Sequence, residues 1–107
     1  MKSQKKITIH KIKIQRQFAD AVQFGYKKFE IRKNDRNYQE GDILRFTCID
    51  DKGNQVYHPI NIRQYKITYM LNGWGLKKGY VAFGIEEIKE DITMDLINQR
   101  LDEQEDE

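Results

Sequence analysis

Ile7 and Ile9 alternate with polar residues, and Ile12 and Ile14 alternate in the opposite parity, so the first strand is expected to end or bulge near His10. Phe18, Ala21 and Val22 then fall at i, i+3 and i+4, which predicts a helix of about two to three turns from near Gln15 to Phe24. Gly25 stands where a left-handed C-terminal cap belongs. From Lys27 to Lys33 the alternation returns, with Phe29 and Ile31 on one face and Lys28, Glu30 and Arg32 on the other. This predicts a strand with one apolar and one charged face.

Asn34 to Asn37 reads as a polar loop, and Glu40-Gly41-Asp42 as a turn into a strand from Ile43 to Ile49. Asp50-Asp51-Lys52-Gly53-Asn54 has the composition of a hairpin connection, with Gly53 supplying positive φ. Its partner is expected along Val56 to Leu71, interrupted early by Pro59. The apolar parity switches between Ile60/Ile62 and Tyr65/Ile67/Tyr69/Leu71, which predicts a bulge or bend that lets a sheet curl. Asn72 to Gly79 is a glycine-rich loop, and Val81, Phe83 and Ile85 make a last core strand. One early helix among strands, without a repeated βαβ pattern, predicts an α+β, mainly β fold: a small mixed β-barrel with one early helix.

A length of 107 residues suits one domain, with 38% hydrophobic residues to fill a small core and 34% charged residues to cover it. No run approaches the roughly 18 apolar residues that span a bilayer, and Met1 to Lys6 lacks a signal peptide's apolar stretch. A cytoplasmic protein with no membrane partner is expected. The single cysteine, Cys48, reads as a small buried hydrophobe on a strand, and a multi-cysteine metal site is excluded.

The formal net charge of +2 conceals a division. Residues 1–90 hold 18 Lys/Arg against 10 Asp/Glu, a net +8, whereas residues 91–107 hold one Arg against 7 acids, a net −6. The reading is a folded domain over 1–90 followed by an acidic tail over 91–107. Met94, Ile97 and Leu101, at i, i+3 and i+7, allow a short amphipathic helix in that tail. A sharper possibility is that Asp102, Glu103, Glu105, Asp106 and Glu107 fold back on the basic face and compete with nucleic acid.

Gly25-Tyr26-Lys27-Lys28-Phe29-Glu30-Ile31-Arg32 resembles the G-x-K-x-x-E-x-R signature of ASCH domains, a branch of the PUA-like superfamily. The wider phrase Lys28 to Arg36, followed by Gly41-Asp42, resembles a bacterial and phage family of small uncharacterised PUA-like proteins. The resemblance spans about residues 10–88. It implies a PUA-like β-barrel with a cleft beside the signature that binds RNA or a nucleotide. One ASCH branch is an acetylcytidine amidohydrolase with a lysine at the position of Lys27 and a threonine nucleophile at that of Glu30, and others have been linked to RNA cleavage. Glu30 replaces that threonine here. The alternative function is therefore a hydrolase of modified nucleosides or RNA in which Lys27 and Glu30 act as acid/base groups.

The residues support the binding reading on their own chemistry. Lys28, Glu30 and Arg32 alternate at about 6.5–7 Å and can converge on one ligand, Arg32 offering a planar fork to phosphate or a base edge. Lys27, Lys33 and Arg36 are candidate phosphate contacts. Simple pairing of these charges on a solvated sheet face is the plainer alternative. His10 is placed either facing the cleft, where it matches the family's histidine, or as a satisfied structural histidine. Trp74, between Gly73 and Gly75, is a candidate stacking residue or a lid packed on the barrel. His58 reads as an exposed loop residue. His10, His58 and Cys48 lack ligand spacing, so neither a metal nor another cofactor is expected.

Overall fold

The computed structural model describes residues 6–89 and, further on, the strand Leu101–Gln104. Strand β1 (Ile7–Gln15) runs directly into helix α1 (Arg16–Gln23), followed by β2 (Phe29–Lys33), β3 (Ile43–Ile49), a 3-10 turn (Pro59–Ile62), β4 (Gln64–Asn72), β5 (Tyr80–Glu87) and β6 (Leu101–Gln104). The strands form one sheet in the order β2-β5-β4-β3-β1-β6. β1 lies parallel to β3 and β6, and the other pairs are antiparallel.

The domain is mainly β with one early helix, as the pattern predicted, but the sheet is open. β2 ends it on one side and has no described backbone pairing with β1. The β2 edge nevertheless comes within side-chain reach of β1, because the Arg32 guanidinium donates through Nη2 to the Lys13 carbonyl at 2.8 Å. A side chain, not a ladder of backbone bonds, spans the gap where a barrel would close.

One face of the sheet carries Ile12 and Ile14 from β1, Leu44, Phe46 and Cys48 from β3, and Ile67, Phe83 and Ile85 from β4 and β5, with Ala19 and Val22 of α1 in the same cluster. Cys48 is fully buried, as its reading requires. β1 is continuous, with no break at His10. Its parity switch has another cause: Ile12 and Ile14 enter the main core, whereas Ile9 is buried outside that cluster and pairs with Ile43, also buried outside it. Both faces of β1 are covered near its start, and both parities are therefore apolar.

The helix buries Ala19 and Val22, while Phe18 remains 42% exposed. The turn at Asp50 forms, with Asp50 N–H donating to the Asn54 carbonyl at 2.9 Å and Gly53 at φ +85°. No hairpin strand returns from it. After a single bridge between Ile49 and Gln55 the chain enters the proline-initiated 3-10 turn, and β4 begins only at Gln64. The switch at Ile60/Ile62 marks that turn, and the register irregularity lies further on, between Ile67 and Met70.

His58 is buried, not exposed. Its Nε2 lies 2.7 Å from the Asp20 carboxylate and its Nδ1 accepts from Ile60 N–H, which ties the 3-10 turn to α1. The Met94/Ile97 part of the expected tail helix lies outside the described residues. Leu101–Gln104 is a strand parallel to Ile7–His10, so this part of the acidic segment belongs to the sheet.

Candidate functional site

Gly25, at φ +82°, ends α1, and the N–H groups of both Tyr26 and Lys27 donate to the Ala21 carbonyl at 2.9 and 3.0 Å. The backbone of Lys27 is thereby fixed to the helix end. The chain then enters β2, whose register against β5 sets Glu30 beside Phe83 and Arg32 beside Val81, on the side of the core. Phe29 and Ile31, on the opposite parity, are 49% and 51% exposed. The two faces of β2 exist as the pattern indicates, but the charged one turns inward.

Inward placement leaves the Glu30 side chain only 5% exposed. Such a charge is tolerated when its oxygens meet cations at hydrogen-bonding distance. Lys27 Nζ donates to Oε2 at 2.6 Å, and Arg32 Nε donates to Oε1 at 3.0 Å. Lys27 also donates to the Phe29 carbonyl at 2.6 Å. Its ammonium stands 5.0 Å from the Phe29 ring centroid and 5.7 Å from that of Phe18, close enough for attraction to both ring faces. The result is a charged cluster at the α1–β2 junction in which one buried anion fixes two cations, with two half-exposed aromatic rings beside Lys27.

Lys27 also lines a cleft of about 1340 Å³ at the α1–β2 junction, together with Lys28, Lys66, Thr68, Glu86 and Glu87, whereas Glu30 and Arg32 lie outside its lining and reach it only through Lys27. Lys28 and Lys33 are exposed, and Arg36 is half-buried in the loop after β2. The structure thus gathers Lys27, Glu30 and Arg32 at contact distance and sets Lys28 in the adjoining wall. It holds His10 apart. His10 is fully buried, with Nε2 at 2.8 Å from the Asp42 carboxylate and its ring 4.7 Å from that of Tyr38, while its buried Nδ1 has no hydrogen-bond partner among the described residues, so the ring is structural but only half satisfied. Trp74 is 89% exposed in the β4–β5 loop, so it is not packed as a lid. Phe18 was not a sequence candidate as a site residue. Its helical spacing makes it look like core, and only the helix's rotation toward Ala19 and Val22 leaves its ring beside Lys27.

Fold and site together define a mainly β domain with a charged cluster, and a cleft adjoining it, where one helix leads into an edge strand. The chain belongs to the family described as "Domain of unknown function (DUF3850)", whose model matches residues 9–85. A relative in Escherichia phage P2, "Uncharacterized 12.9 kDa protein in GpA 3'region", is 47% identical over 36 residues, which are 34% of this chain and 33% of that protein. The match thus spans about a third of the relative's length. The crystal structure of hypothetical protein PH0355 resembles this one with a TM-score of 0.51 at 18% identity, covering 75% of this chain and 99% of that one. At that identity the likeness concerns the fold alone.

Among the described residues no helix is long and apolar enough to cross a membrane.

Proposed function

We propose that this protein is a binding module for RNA or a nucleotide and that the cleft at the α1–β2 junction, with the charged cluster beside it, is its site. The observation that supports this reading is the buried Glu30 carboxylate holding Lys27 and Arg32 in place, with the Phe18 and Phe29 rings beside Lys27. A phosphate needs fixed N–H donors with excess positive charge, and a base needs an aromatic face. The three charges sum to +1. Lys27 has a third N–H beyond the two donated to Glu30 and Phe29, and these contacts use two of the five N–H groups of Arg32.

The resemblance of Gly25 to Arg32 to the ASCH signature, and of the longer phrase to PUA-like proteins, points the same way. It remains an analogy of family and fold. The hydrolase alternative asks Glu30 to take a proton from water. With each carboxylate oxygen already accepting from a cation, Glu30 is better suited to holding Lys27 and Arg32 than to acting as a base.

The test is fluorescence anisotropy with a labelled 12-nucleotide RNA and calorimetry with mononucleotides, at ~50 and ~200 mM salt. Binding should weaken with salt, and Lys27→Ala and Arg32→Ala should weaken it more than Lys33→Ala does. Absence of binding to RNA and mononucleotides at ~50 mM salt overturns the proposal.

A further inference from the structure

The β4–β5 loop displays the chain's only tryptophan in a backbone conformation that costs energy. Gly73, Trp74 and Gly75 have φ values of +72°, +50° and +92°. Glycine adopts this region freely, whereas a bulky side chain in it is an outlier that the surroundings must impose. Here the loop is tied down by Leu76 N–H donating to the Gly73 carbonyl, Tyr80 N–H to Lys77 and Asn34 N–H to Gly79, all at 2.8–2.9 Å. The indole gains no burial in return, being 89% exposed. Cations surround its base. Lys33 lies across from Tyr80 in the sheet, Lys77 Nζ stands 5.7 Å from the Tyr80 ring, and Lys78 follows; all three lysines are exposed.

We propose that this loop is a second contact for the ligand of the α1–β2 cleft: Trp74 stacks on an unpaired base while Lys33, Lys77 and Lys78 hold phosphates. The inference rests on the cleft reading and narrows its ligand class to a single strand of several nucleotides. β2 connects the two contacts. Phe29, at the cleft, and Lys33, beside the loop, share one face of the strand at about 13 Å. A mononucleotide in the cleft does not reach Trp74, whereas a strand crossing the exposed Phe29–Ile31–Lys33 edge does. Strands held by aromatic platforms and a basic track commonly occupy roughly 4–16 nucleotides per domain.

Because Trp74 is the sole tryptophan, its fluorescence reports directly on the loop. The protein is titrated with a 12-nucleotide oligoadenylate RNA and, separately, with AMP, using the wild type, Trp74→Gly, Trp74→Phe and Arg32→Ala, with circular dichroism to verify folding. The expected result is quenching by the RNA but not by AMP. Trp74→Gly should weaken RNA binding roughly five- to tenfold without changing AMP binding, and Trp74→Phe should recover part of the loss.

Saturating RNA that leaves both the emission and the Trp74→Gly affinity unchanged overturns the loop contact while leaving the cleft reading intact. Quenching and a Trp74→Gly effect together with unchanged affinity in Arg32→Ala overturn the cleft reading instead, leaving the loop as an RNA contact. If neither ligand binds, both fail. Emission that depends on protein concentration and not on RNA assigns Trp74 to self-association and overturns the proposal.

Discussion

Glu30 is where a single side chain carries the largest electrostatic cost in the site. Its carboxylate is almost fully buried, while the side chains of Lys27 and Arg32 that compensate it are 17% and 24% exposed. Glu30→Gln keeps the shape and removes the charge, leaving two cations facing one another across a neutral amide. The expected loss is about 1–3 kcal/mol, below that of a fully buried pair because both cations retain some water. A lower urea midpoint with unchanged slope checks it. Cys48 and Tyr65 give a second residue-scale expectation. Burial pushes both acids above their ordinary values, with the Glu87 carboxylate adding to the effect at Tyr65. Their neutral forms are favoured in the folded state, so this contribution is complete below the ordinary values of about 8.5 and 10 and is lost as pH rises through the raised ones. Unfolding followed from pH 7 to 11 should show stability declining above about pH 8.5, and Cys48→Ala should remove the earlier part of the decline. The burial of Cys48 was legible from its place on an apolar strand. The partner of His58 was not, since Asp20 lies 38 positions upstream and only the docking of the 3-10 turn on α1 joins them.

At the scale of elements, β4 and β5 meet around an irregularity that fixes one glycine. The register shift between Ile67 and Met70 brings Thr68 over Gly84, where an added Cβ would lie 2.6 Å from the threonine hydroxyl. Thr68 is short and β-branched, so it has few ways to move aside. Gly84→Ala is expected to cost about 1–3 kcal/mol, and Thr68→Ser combined with it should recover less than Thr68→Ala does, because serine retains the offending oxygen. Thermal melts of the three variants decide it. If Gly84→Ala is neutral alone, the proposed crowding is absent. Sequence pattern located α1, its glycine cap and the strands because each depends on neighbours within one or two turns. It misplaced the hairpin and the break in β1 because an apolar parity switch has several physical causes. In β1 the cause is burial on both faces, and at Ile60/Ile62 it is a 3-10 turn. For β2 it gave the two faces but not which one turns inward, since that depends on the curl that brings Arg32 to β1.

The whole molecule sets a basic domain against an acidic C-terminal segment, and the placement of β6 changes how that opposition should be tested. Leu101–Gln104 pairs with Ile7–His10, so truncating the segment removes a sheet edge as well as its charge. Neutralising the charge in place separates the two. Asp102, Glu103, Glu105, Asp106 and Glu107 changed to the corresponding amides keep the length and hydrogen-bonding capacity while removing five of the negative charges. If these acids compete with nucleic acid for the basic surface, the amide variant binds a 12-nucleotide RNA more tightly at ~50 mM salt. The difference should shrink as salt rises, because the Debye length falls from about 10 Å at 0.1 M to about 3 Å at 1 M and exposed charges cease to feel one another. Equal affinity in both proteins at ~50 mM salt would show that the acids neither compete for the strand nor repel it. A gain that persists unchanged at high salt would instead trace to an altered β1–β6 edge, which the thermal midpoint of the same variant would reveal.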